Sequence, residues 1–155
     1  AVYLLLHHMK RTVQQADILV IGYGRIGRFL TRKLTALGAN VTVAVRKSAQ
    51  HTELSLFGLD TVQTGVYEKG LERYDAVVNT VPSPVIHDAQ AKQIAPECIC
   101  IEVASEPGGF PEQMKRAGRV VMGNGLPGKT APQTAGESLA RAVWEGIEGE
   151  ERTLE

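Results

Sequence analysis

The chain has 155 residues, 43% of them hydrophobic and 22% charged, with seventeen basic residues against seventeen acidic ones. That length and mix fit one folded domain with a real apolar core and exclude two of ordinary size. The even charge balance excludes broad attraction to nucleic acid or a membrane surface, so any anion site must be local.

At the start of the chain, Val2, Leu5, Leu6, Met9 and Val13 recur on one helical face, so residues 1–16 read as a linking helix from an upstream domain. The opening apolar run is too short to cross a bilayer and carries no basic flank, so neither a membrane span nor a secretory signal is expected. "DILVIG" (17–22) is a short, continuously apolar run, as a buried parallel strand would be. Ile26, Leu30, Leu34 and Leu37 then mark a helix face that Gly38 closes. "NVTVAV" (40–45) reads as strand two, "DTVQT" (60–64) as a weaker strand three, and "DAVVNTVP" (75–82) as strand four. Ser83 can cap a helix with Pro84 in its first turn. "CICIEVAS" (98–105) and "RVVMGN" (119–124) supply strands five and six. Thr134 and Glu137 have capping-box spacing, opening a helix with Leu139, Val143 and Ile147; residues 149–155 form a charged tail expected to fray.

Strands alternating with helices predict a doubly wound parallel α/β sheet, a Rossmann fold over residues 17–148, with strand order 3-2-1-4-5-6. Cys98 and Cys100 point to the same face of a strand and sit too close for an ordinary disulfide. They read as small buried apolar residues suited to a reducing cytoplasm. His7, His8, His51 and His87 share no ligand spacing with them, so no metal site is expected.

Gly22, Gly24 and Gly27 stand at G-x-G-x-x-G spacing, directly after the first strand and at the start of a helix. In that context Gly22 serves the tight turn, Gly24 the approach of a pyrophosphate, and Gly27 the packing of helix on sheet. Tyr23 lies within the turn, and the amides of Gly24, Arg25 and Ile26 would face the phosphates. An NAD site usually has an acid about 20 residues on, to accept from the ribose 2′-hydroxyl. Here the second strand ends in Arg46, Lys47 and Ser48, a set that suits a 2′-phosphate instead, so NADP is favoured.

Loops at the strand ends complete the predicted cleft. They supply Asn79, Thr80, Val81 and Pro82 after strand four, and Ala104 and Ser105 after strand five. After strand six, "GLPGKTAPQTAG" is expected as a loop carrying Leu126, Pro127, Gly128 and Lys129 over the nicotinamide. Lys129 is the candidate for attracting a substrate carboxylate. His87 is expected on a helix surface, without the arginine and acid that a 2-hydroxy acid dehydrogenase site requires. No other nucleophile–base set stands out, so the catalytic residues are unassigned.

In order along residues 17–143, "GYGRIGR", "ALGANVTVAVRKSAQ", "DAVVNTVP", "EVASEPGG" and "GLPGKTAPQTAGESLA" resemble the C-terminal domains of the dipicolinate synthase A-subunit family. "GLPGKTAPQTAG" also resembles the loop beside nicotinamide in methylenetetrahydrofolate dehydrogenases. The first resemblance implies an NADP-binding domain that follows a separate N-terminal domain. It implies partnership with the synthase's other, flavoprotein-like B-subunit, and oxidation of a dihydrodipicolinate-type cyclic dicarboxylate in the mother-cell cytoplasm of spore formers. By motif position it carries Gly22 to Gly27 and Arg46 to Ser48 over as cofactor contacts. Two other readings stay open: an NADP-holding structural or sensing module, and the cofactor domain of a 2-hydroxy acid or methylene-folate dehydrogenase. The apolar stripe of the first helix points to a homodimer.

Overall fold

A computed structural model describes residues 1–67, 70–123 and 125–151, and the chain divides into two compact units, Ala1–Asn124 and Gly125–Glu155. The first unit runs α1 (Val2–His8), β1 (Asp17–Ile21), α2 (Arg25–Ala36), β2 (Asn40–Val45), α3 (Ser48–Leu56), β3 (Asp60–Gln63) and β4 (Ala76–Asn79). It continues through α4 (Asp88–Ala91), β5 (Ile99–Glu102), α5 (Glu112–Arg116) and β6 (Val120–Met122). All six strands are parallel, in the order β3-β2-β1-β4-β5-β6, as the alternation predicts.

The central strands are apolar at successive positions because each face of the sheet carries its own core. Ile18, Val20, Val43, Val78 and Ile101 pack with Leu30 and Leu34 of α2 and Leu54 of α3. Leu19, Ile21, Val77 and Cys100 point the other way, against Ile86, Phe110 and Met114. Cys98 and Cys100 are free, buried thiols on that second face. Contact with Cys100, and then burial, push the Cys98 thiol well up from its ordinary range, as suits an unreactive core residue. Successive strands wind outward from β1 in one direction and from β4 in the other, so a crevice opens beyond the carboxyl ends of β1 and β4.

Several elements depart from the sequence-based expectation. The first helix stops at His8, where Met9 turns extended, instead of running to residue 16. Leu5 is wholly buried in the unit's own core while Leu6 is 59% exposed. The helix therefore packs on its own sheet through Leu5, while Leu6 of the predicted stripe faces outward. Strands four and five are shorter than their apolar runs, ending at Asn79 and Glu102. Ser83 caps no helix: α4 begins at Asp88, with the His87 N–H donating to Gln90 Oε1 at 2.8 Å. The chain before it is held out of helical form because the Val85 and Ile86 amides both donate to the Gly109 carbonyl. Two helices, α3 and α5, have no counterpart in the apolar periodicity.

The second unit consists of α6 (Leu126–Thr130) and α7 (Pro132–Glu151). Its first stretch is thus helical where a loop is expected. The long helix opens at Pro132, two residues before the predicted cap Thr134, because proline's fixed φ and missing N–H suit a helix's first turn. Glu137 Oε1 accepts from Gln133 Nε2 at 3.2 Å and makes no capping box with Thr134. Leu139 and Val143 of that helix are 68% and 54% exposed. The Ile147 side chain and residues 152–155 lie outside the described residues, as does Asn124 at the predicted end of strand six.

Candidate dinucleotide site

The glycine turn leaves β1 with Gly22 at φ +97°, a left-handed conformation that side chains rarely adopt. A Cβ on Gly22 would stand 2.6 Å from Thr80 Oγ1 and 2.7 Å from Val81 Cγ2, so the turn is pressed against the loop after β4. Thr80 holds the end of β1 in return, its N–H and hydroxyl both donating to the Ile21 carbonyl at 2.9 and 2.8 Å. Gly27 brings α2 onto the turn: a Cβ there would lie 2.2 Å from the Gly22 carbonyl oxygen. Gly24 differs from both, because a Cβ on it would meet nothing within 4 Å. It precedes α2 in an ordinary extended conformation, and the first intrahelical bond runs from Arg28 N–H to its carbonyl. Among the described residues the amides of Arg25, Ile26 and Gly27 have no protein acceptor. Open space above three unpartnered amides at a helix start suits a pyrophosphate.

Beside that turn lies a cleft of about 260 Å³. Its walls combine Gly22, Tyr23 and Gly24 with Arg46 and Lys47 after β2, and with Thr80, Val81 and Pro82 after β4. Eight of the positions singled out in the sequence therefore meet around one space. Ala44, Val45, Gln50 and Thr64 join them without any signal in the sequence, brought in by the pairing of β2 with β3 and by α3. Arg46 is exposed and makes no ion pair among the described residues. Ser48 is the first residue of α3 and lies outside the cleft wall. These features fit a dinucleotide whose adenosine end reaches Arg46.

At the next strand ends the sequence reading is incomplete. Asn79 is wholly buried and does not line the cleft; it hydrogen-bonds instead to Val81 and to Glu102. Glu102, the last residue of β5, is also wholly buried; it opens "EVASEPGG", of which only Ala104 and Ser105 stand out by sequence. Ala104 is buried, donating its N–H to Glu102 Oε1 at 3.1 Å, while Ser105 is exposed. Leu126, Pro127, Gly128 and Lys129 belong to the second unit, in the helical turn α6. His87 is exposed at the start of α4, in a separate hollow with Phe110 and Lys115.

Sheet order, glycine turn and crevice together define a Rossmann-type dinucleotide-binding domain. Residues 5–105 match the family model of the D-isomer specific 2-hydroxyacid dehydrogenase NAD binding domain, and the chain belongs to that family. It is also similar to the A-subunit of dipicolinate synthase from Bacillus subtilis, with 32% identity over 92% of this chain and 48% of that protein. The crystal structure of the same organism's A-subunit superimposes with a TM-score of 0.89 at 30% identity, over 99% of this chain and 52% of that one. Its counterpart from Bacillus halodurans gives 0.84 at 30% identity, over 91% and 49%. The chain thus spans about half the length of these relatives, and what it forms is a dehydrogenase-type nucleotide-binding domain.

Proposed function

We propose that the chain binds NADP and serves as the cofactor domain of an oxidoreductase like the A-subunit of dipicolinate synthase. The observation that carries this reading is the open phosphate turn at Gly24 beside an acid-free, basic end to β2 at Arg46. Gly22, Tyr23 and Gly24, with the amides of Arg25, Ile26 and Gly27, hold the pyrophosphate. Arg46, helped by Lys47, holds the 2′-phosphate, with Ser48 just beyond the cleft wall. Thr80, Val81 and Pro82 face the nicotinamide, with Asn79 and the Ala104–Ser105 loop behind them. Bound NADP would accept a hydride at nicotinamide C4. The donor in this reading is a dihydrodipicolinate-type cyclic dicarboxylate, converted to dipicolinate in the cytoplasm together with a flavoprotein-like second subunit. Similarity to one component of a dipicolinate synthase supports that substrate class.

Fluorescence titration with both reduced cofactors tests the site. NADPH should bind about tenfold to a hundredfold more tightly than NADH, the worth of one charge-assisted contact. The preference should shrink as salt rises, because the guanidinium is exposed. Arg46→Ala should weaken NADPH far more than NADH, and Arg46→Asp should go further by repelling the phosphate. Equal loss of both cofactors, or a wild type that prefers NADH, would make Arg46 an ordinary surface charge.

A further inference from the structure

We infer that Glu102, acting through Asn79, is a positioning residue for the nicotinamide half of the cofactor; this rests on the dinucleotide reading above. Asn79 and Glu102 are register partners at the ends of β4 and β5, and both are wholly buried. Glu102 Oε1 accepts from Asn79 Nδ2 at 2.7 Å and from the Ala104 N–H at 3.1 Å, and Oε2 accepts from the Gly109 N–H at 2.7 Å. The Asn79 carboxamide in turn grips one residue of the cleft wall. Its Nδ2 donates to the Val81 carbonyl at 2.8 Å, and its Oδ1 accepts from the Val81 N–H at 3.1 Å. A continuous path therefore runs from a buried carboxylate, through an amide, to the backbone of a residue facing the cleft.

The chemistry of that path is directional. Every neighbour of the Glu102 carboxylate is an N–H donor, and a carboxylate accepts at both oxygens. A carboxamide there would turn its NH2 against at least one of those donors. A buried carboxylate without a cation costs stability, and a pair of apolar side chains would join two strands as well. Among the described residues no ion pair engages Glu102. What the carboxylate adds is orientation: it fixes which way the Asn79 amide faces, and so where Val81 stands. Little slack remains around it. A Cβ on Gly108 would lie 2.6 Å from Glu102 Oε2, and one on Gly109 would lie 2.5 Å from Asn79 Nδ2. The two glycines of "EPGG" thereby acquire a reason. The Gly109 carbonyl also takes the Val85 and Ile86 amides, so the chain beyond Val81 is tied back to the same carboxylate.

Calorimetric titration of the 155-residue chain, Glu102→Gln and Asn79→Ala with NADPH, NADH and ADP-ribose, well below the melting temperature, tests this. ADP-ribose lacks nicotinamide and reads the adenosine and pyrophosphate side of the site. Both variants should bind NADPH and NADH about tenfold more weakly, the scale of one lost charge-assisted hydrogen bond. Their affinity for ADP-ribose should stay at the wild-type value. Unchanged binding of the nicotinamide cofactors overturns the proposal. So does an equal loss of ADP-ribose, which would mark a general structural role. If Glu102→Gln does not fold, Asn79→Ala decides by the same criteria. A wild type that binds none of the three ligands overturns the dinucleotide reading itself, and this proposal with it.

Discussion

Three glycines of one motif carry three different constraints, and substitutions should separate them. Gly27→Ala presses a methyl group into the Gly22 carbonyl, backbone against backbone, with no flexible end to yield. It should lower stability by about 1–3 kcal/mol, seen as a lower urea midpoint at unchanged slope. Gly24→Val meets open space and an extended backbone, so it should stay folded, losing at most about 1 kcal/mol as a poorer residue before the helix. It should nonetheless abolish dinucleotide binding, because the isopropyl group stands over the amides of Arg25, Ile26 and Gly27. Undiminished NADPH affinity in folded Gly24→Val would move the phosphates elsewhere. Spacing alone marks all three glycines. Only the surroundings show which one faces open space and which two face protein.

Elements were legible where an apolar face repeats and illegible where distant contacts decide. The second helix shows Leu30 and Leu34 at helical spacing, and both are buried. The α3 helix buries Leu54 alone, while Leu56 and Phe57 are 83% and 72% exposed. Its existence follows from topology instead, since parallel β2 and β3 need a crossover of about a dozen residues. The segments after β3 and β4 are irregular for a similar reason: they are pinned to each other by the Tyr67 hydroxyl, which donates to the Val85 carbonyl at 2.9 Å. Burial pushes the Tyr67 phenol well above its ordinary range. A phenol raised in the folded state stays neutral while the unfolded chain releases its proton near pH 10. This contribution is therefore fully present below about pH 10 and is lost as pH rises beyond it. Tyr67→Phe should cost about 1 kcal/mol at neutral pH and flatten the alkaline loss of stability. Urea titrations from neutral pH upward would check this; an unchanged alkaline slope would mean that Tyr67 ionises as readily folded as unfolded.

As a whole molecule, the chain spans about half the length of its dipicolinate synthase relatives, and among the described residues no acid–base pair lines its cleft. On the proposed reading it should therefore bind dinucleotide yet turn over a dihydrodipicolinate-type substrate poorly without a further domain or second subunit. Efficient reduction of NADP by this chain alone, followed by nicotinamide absorbance, would refute that expectation. The strand order, the glycine turn and the lack of an acid after β2 could be read from the sequence, because each rests on residues adjacent in the chain or on a local period. The course of residues 80–87, the entry of Gln50 and Thr64 into the cleft, and the clasp of Asn79 by Glu102 could not. Those depend on strand register, which brings side chains 23 residues apart to 2.7 Å and leaves no trace in local spacing. Tertiary structure alone decided them, because the direction a side chain takes at a strand's end is set by the neighbour it meets there.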